Sequence, residues 1–284
     1  MKKLDNQIFQ DRRKSFLSKL DGKAAIIPGA KLVQHHADCE YPFRQESNFW
    51  YLTGFDEPDA IALFLSHKPI GERYILFVHP KDIESEVWNG FRWGTNGAEK
   101  VFKADKSHPI SDFEKELPNY LMGADEIVFS VGKYPEIEPI VLNLWAKQID
   151  NYSRIGRAPR AIQPPGIYLN QMRLIKSQYE IERMREAALI SAEAHELVRF
   201  NISHKNNERQ IQGLLEGFFL EKGTRGPAYN TIAAAGDNAC ILHYTANNSE
   251  LKKGDLLLVD AGCSLLDYYN GDITRTFAIG GKFS

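Results

Sequence analysis

Apolar residues recur near the start of the chain at Leu4, Ile8, Phe9, Phe16, Leu17 and Leu20, a spacing that predicts an amphipathic helix over residues 4–20. Four short apolar runs follow, Ala24–Ile27, Ala60–Leu65, Tyr74–Val78 and Ile127–Val131. Each stops near Gly, Pro or charged residues and predicts a strand. Helical patterns over Asp112–Leu121 and Pro135–Ile149 lie between them. Strands and helices mixed in this way, up to about residue 155, predict an α/β domain with helices covering a sheet.

The stretch Arg154–Ser177 then breaks the pattern. Pro159, Pro164 and Pro165 oppose regular helix and cannot donate to a sheet, so this stretch is expected to be a linker. The domain boundary is placed near Arg173, giving domains 1–172 and 173–284. Ser177 and Glu180 fit a capping box at the start of a long helix. Ile181, Met184, Ala188, Ile190, Ala194 and Leu197 carry its apolar face to about Phe200. A second helix starts near Asn207 and presents Ile211, Leu214, Leu215 and Phe218. Both stripes read as core. After Gly223 the pattern turns to strands: Tyr229–Ala234, Ile241–Tyr244, Leu256–Ala261 and Asp272–Ile279.

Composition narrows the class. A chain of 284 residues suggests about two domains at roughly 100–200 residues each. With 43% hydrophobic and 25% charged residues, disorder is not expected. A net charge of -2 offers no strong field for nucleic acid or an anionic membrane, and neither is expected as a partner. Cys39, Cys240 and Cys263 are too few and too scattered for a disulfide framework. No segment resembles a signal peptide or reaches the ~18 apolar residues of a membrane span. A cytoplasmic protein with reduced thiols is the expectation.

Candidate chemistry sits in the last third. GDLLLVDAG puts Asp260 at the end of an apolar strand, and NGDITRTF puts Asp272 at the start of another, twelve residues on. Neighbouring strands joined by such a loop can turn two carboxylates toward one point, where they suit hard divalent ions. The same residues also fit ordinary turn positions, and the pattern alone leaves both readings open. His243, in CILHYTANN, can carry a proton or steady charge, or it can be a hydrogen-bonded core histidine. His35 and His36 lack partners at ligand spacing and read as a solvated loop.

GDLLLVDAG followed by NGDITRTF, with YNTIAAAGDNACILHYTANN upstream, resembles the methionine aminopeptidase-like pita-bread family. Within it the chain is similar to bacterial aminopeptidase P, whose N-terminal domain FRQESNFWYLTGFDEPDA also resembles. The resemblance implies that Asp260 grips one metal ion, that Asp272 bridges two, and that His243 helps bind substrate and stabilise the reacting centre. It implies that Trp88, in ESEVWNG, reaches the active-site entrance of a neighbouring subunit, and hence a homo-oligomer. Arg275 is implied to be structural. The implied cofactor is Mn²⁺, two ions in complete relatives. The implied substrate is a peptide with proline in second position.

Two departures accompany the resemblance. The spacing between the two aspartates is one residue longer than usual through SLLDYYN, and the extra residue is expected to be absorbed in a hairpin turn or a bulge. The family's remaining ligands, a histidine and two glutamates, would lie beyond Ser284. The expected architecture is therefore an α/β N-terminal domain plus the first half of a pita-bread (α+β) catalytic domain. The expected function is that of an Xaa-Pro aminopeptidase whose 284 residues are inactive by themselves. The alternatives are a prolidase-like dipeptidase and a non-catalytic pita-bread binding module.

Overall fold

The computed structural model describes residues 6–283, which divide into two units, one running to Ile175 and the other starting at Lys176. The first unit opens with α1 (Asn6–Leu20) and β1 (Ala24–Pro28), then a small hairpin, β2 (Gln34–His36) with β3 (Cys39–Glu40). There follow α2 (Ser47–Thr53), β4 (Ile61–Leu65), β5 (Tyr74–Val78), α3 (Ile83–Asn89), α4 (Gly94–Lys100) and β6 (Lys106–Pro109). The unit closes with α5 (Phe113–Leu121), β7 (Ile127–Val128), α6 (Glu138–Asp150), α7 (Tyr152–Ile155), β8 (Ile162–Gln163) and α8 (Gly166–Leu174).

A mixed sheet in the order β6-β5-β4-β1-β7-β8 forms its centre. Every residue of β1, β4 and β5 is buried, as expected of strands covered on both faces. Alternation along β1 decides which layer each side chain joins. Ala25 and Ile27 pack with Phe16 and Leu20 of α1, Phe49 and Leu52 of α2 and Leu169 of α8. Ala24 and Ile26 pack on the other side with Phe113, Leu117 and Leu121 of α5 and Val141 of α6. Each large side chain buried this way contributes on the order of 1.5–3 kcal/mol before entropy is counted.

The stretch expected to be a linker is instead largely structured. Ile162–Gln163 is an edge strand on β7, and the Trp145 indole donates to the Pro159 carbonyl at 2.8 Å. The prolines do not prevent this, because Pro164 and Pro165 stand just before α8, where a missing N–H costs little. The expected strand over Ile127–Val131 is shortened to Ile127–Val128.

The second unit begins with α9 (Gln178–Asn201), whose capping box is complete: the Ser177 side chain accepts from the Glu180 backbone, and Glu180 reaches back to the Ser177 backbone. Then come α10 (Glu208–Glu221) and an antiparallel sheet of β9 (Ile232–Ala235), β10 (Leu256–Ala261) and β11 (Ile273–Ala278), with β10 central. Leu257, Val259 and Ala261 of β10 pack with Ala187, Ala194 and Val198 of α9 and with Ile211, Leu215 and Phe219 of α10. The alternate residues Leu258 and Asp260 therefore point to the face away from the helices.

Backbone closeness sets how the sheet meets α9. A Cβ on Gly262 would lie 1.9 Å from the Gly271 carbonyl oxygen, and one on Gly271 would lie 2.1 Å from Ser191 Oγ. Ser191 donates to the Ala187 carbonyl and accepts from the Cys263 N–H at 3.0 Å, tying the hairpin to the helix. Nearby, the buried His195 ring bonds through Nε2 to the Ala261 carbonyl at 3.0 Å. Burial disfavours its imidazolium and holds its pKa below the usual histidine value, although the Ala261 bond pulls the other way.

Two stability predictions result. Gly271→Ala should destabilise the second unit by roughly 2–3 kcal/mol, read as a lower urea midpoint, because the methyl group has no room against Ser191 and Ala187. An unchanged midpoint would contradict the close packing. For His195, a depressed folded pKa means the unfolded chain takes up the proton first. Its contribution is complete above about pH 6.5 and is lost as pH falls through the folded value. Thermal stability should decline as pH falls below about 6.5, and His195→Gln should flatten that slope.

Candidate active site

Asp260 lies near the end of β10 and pairs with Thr274 of β11. Asp272 immediately precedes β11, two positions from Thr274, so it projects from the same face as Asp260. The pairing that runs from Leu256↔Ala278 to Ala261↔Ile273 keeps the same register at Ser264↔Asn270. No bulge interrupts it, and the chain reverses at the hairpin tip, where the Leu265 N–H donates to the Tyr269 carbonyl and Tyr268 adopts φ 67°. The tip is held by Asp267, which accepts from Arg183 Nε and from the Tyr179 hydroxyl, both at 2.7 Å.

Tyr229 brings the two carboxylates to one point. Its hydroxyl lies 2.6 Å from Asp260 Oδ1 and 3.0 Å from Asp272 Oδ1. The segment before it runs beside the hairpin, with Arg225 N–H donating to the Ser264 carbonyl and Ala228 N–H to the Gly262 carbonyl, both at 2.8 Å. Burial, followed by the bond to Asp260 and the charges of both aspartates, pushes the Tyr229 phenol far above its usual pKa. The phenol is thus a neutral donor with one proton facing two acceptors. Residue patterning assigned Tyr229 to the start of a strand, and it carried no signal of this role. Its place in the site comes from pairing that no local periodicity records.

His243 is not in a strand. Ile241–Tyr244 was expected to be extended, but His243 occupies an exposed turn after a 3-10 helix, Gly236–Cys240. The chain folds back here because residues on both sides bond to the start of α10, overriding the local β preference. No hydrogen bond joins His243 to the carboxylate pair among the described residues. Trp88 stands on α3 in the first unit and is 87% exposed, beside exposed Ile83, Val87 and Phe91. Arg275 is exposed and donates to the Thr274 carbonyl of its own strand. His35 and His36 are exposed on the β2–β3 hairpin.

Residues 9–129 match the aminopeptidase P N-terminal domain, and residues 182–284 match metallopeptidase family M24. The whole chain aligns at 36% identity with an Xaa-Pro aminopeptidase of Escherichia coli, of which it spans 64%. It is 31% identical to intermediate cleaving peptidase 55 of Saccharomyces cerevisiae over 97% of its own length and 54% of that protein's. Among solved structures, aminopeptidase P from E. coli superposes with a TM-score of 0.92 at 36% identity, covering 99% of this chain and 64% of that one. The Pseudomonas aeruginosa aminopeptidase PepP gives 0.91 at 36% identity over 100% and 64%. The chain thus spans somewhat less than two thirds of the relatives it matches.

Family M24 implies a divalent metal. The donors present suit one: two carboxylate oxygens converge on a single proton donor, an arrangement that a hard cation would relieve of like-charge repulsion. Among the described residues no group of three His, Cys, Asp or Glu gathers to hold an ion. Tyr229→Phe should weaken Mn²⁺ binding about 10-fold in an electron paramagnetic resonance titration, because the hydroxyl that aligns both carboxylates is gone. An affinity equal to that of the unaltered chain would argue that the phenol has no such role.

Proposed function

The chain belongs to the aminopeptidase P family, joining that family's N-terminal domain to an M24 metallopeptidase domain, and from this premise we propose that it serves a metal-dependent Xaa-Pro aminopeptidase, with Mn²⁺ as the metal. Its substrate would be a peptide with proline in second position, and its product the released first residue. The observation that carries this reading is the convergence of Asp260 and Asp272 on the Tyr229 hydroxyl. In the proposal Asp260 and Asp272 hold the metal. Bound divalent metal supplies a hydroxide at neutral pH and polarises the scissile carbonyl.

The chain's own residues would do the rest. Tyr229, kept protonated, aligns the carboxylates without competing as a nucleophile. His243, exposed beside the equally exposed Leu242, would contact the substrate. Trp88, prominent on α3, would close the active-site entrance of a neighbouring copy in a homo-oligomer. A cytoplasmic location accords with the reduced thiols, all three of which are free.

Residues 1–284 supply two carboxylates to a centre that needs more ligands, so this polypeptide alone should show no significant Xaa-Pro cleavage with added Mn²⁺. Fused to the remaining third of the E. coli relative, it should cleave Xaa-Pro peptides in a chelator-sensitive way. Asp260→Ala or Asp272→Ala in that fusion should lower kcat/KM by at least about 100-fold. A folded fusion that ignores both substitutions, or that prefers peptides lacking proline in second position, would defeat the proposal.

A further inference from the structure

Glu208 is fully buried at the first position of α10, yet no cation pairs with it among the described residues. Its Oε1 accepts from the Ala235 N–H at 2.7 Å and from Asn238 Nδ2 at 3.0 Å. Its Oε2 accepts from the Tyr244 hydroxyl at 2.7 Å and from the Ser249 N–H at 2.9 Å. These donors come from the last residue of β9, from the 3-10 helix, from the residue after His243 and from the run into β10. Both ends and both shoulders of one loop therefore meet on one carboxylate, and the exposed Leu242 and His243 stand between its two middle contacts.

A buried carboxylate without a cation is costly unless its acceptor sites are filled, and here two donors serve each oxygen. The positive end of the α10 dipole adds to this. Burial alone would raise the pKa of Glu208, but the bonds from Ala235, Ser249, Asn238 and Tyr244 outweigh it and keep the group charged at neutral pH. An apolar side chain would fill the same space without that cost, but it would not fix four donors of fixed direction. The neighbouring residues reinforce the arrangement: Arg209 Nη2 donates to the Ala246 carbonyl at 2.6 Å, and the buried Asn247 bonds to the Thr231 carbonyl and the Ala233 N–H.

We propose that Glu208 is a positioning residue that fixes the 235–249 loop so that His243 and Leu242 are presented to substrate at its tip. The proposal rests on the reading of His243 as a substrate-facing group. Glu208→Gln keeps the shape but turns one acceptor into a donor facing donors. Hydrogen exchange at residues 236–249 should then rise about 10-fold or more, while α9 and β10 keep their protection. Tyr244→Phe, a milder change should Glu208→Gln fail to fold, should raise exchange in the same residues about 3-fold. Unchanged protection of the loop, or an equal rise through the whole second unit, would overturn the clamp.

A second measurement separates the clamp from the functional reading. Titration of an Xaa-Pro peptide should shift the His243 imidazole resonance, and both His243→Ala and Glu208→Gln should weaken that peptide's binding. Weakening by His243→Ala without weakening by Glu208→Gln would overturn the positioning role. If neither substitution affects binding, the assignment of His243 to substrate fails, and the exchange experiment alone decides whether Glu208 orders the loop.

Discussion

The second unit depends on the close approach of two backbone segments to one helix. Gly262 and Gly271 meet with no room for a Cβ on either, and Gly271 in turn rests against Ser191 and Ala187 of α9. Ser191 closes the contact by accepting from the Cys263 N–H. Sheet and helix here meet backbone to backbone, so the hairpin cannot slide without losing the fit. A slip by one residue would send Asp272 to the helix face and leave Asp260 behind. The small residues along α9 are thus what keep two acidic side chains on the solvent-facing side of the sheet.

With register fixed, electrostatics becomes the next constraint. Two carboxylates face one phenol, and one hydroxyl has one proton to give. One of the two contacts is therefore satisfied at the expense of the other, and the pair keeps unfilled acceptor capacity directed to the same place. Such a site is unfavourable as pure structure. A cation would supply the missing positive charge, which is the proposed link between this geometry and the metallopeptidase family that residues 182–284 match.

Much of this was legible in the sequence, for identifiable reasons. Leu256–Val259 is a continuous apolar run bounded by Asp255 and Asp260, and that composition marked the strand, while its alternate burial comes from packing one face on the helices. Ser177 and Glu180 form a local motif whose partners lie within one turn, and their capping box is formed as read. Failures occurred where long-range contacts decide. Ile241–Tyr244 has a strand-like composition, but Glu208, more than thirty residues away, folds it into a turn. The proline-rich stretch before Ser177 was read as a linker, yet a two-residue strand between Pro159 and Pro164 pairs with β7, and a helix starts directly after Pro165. Tyr229 was invisible as a site residue because nothing local distinguishes a tyrosine that meets two aspartates from one that fills a core.

The same contrast explains how rigidity is distributed around the site. The carboxylates are carried by paired backbone and pinned at the hairpin tip by Arg183 and Tyr179 acting on Asp267. His243 is carried by a loop whose base is held by side chains and whose tip is open to solvent. Groups that must meet an ion of fixed radius tolerate little displacement, and paired strands provide that stiffness. Glu208 joins the two regions: on one side it fixes the end of β9, and on the other its bonds to Asn238 and Tyr244 bracket the exposed Leu242 and His243. Paired backbone thus sets where the two carboxylates converge, and side-chain bonds to Glu208 set where the exposed turn stands.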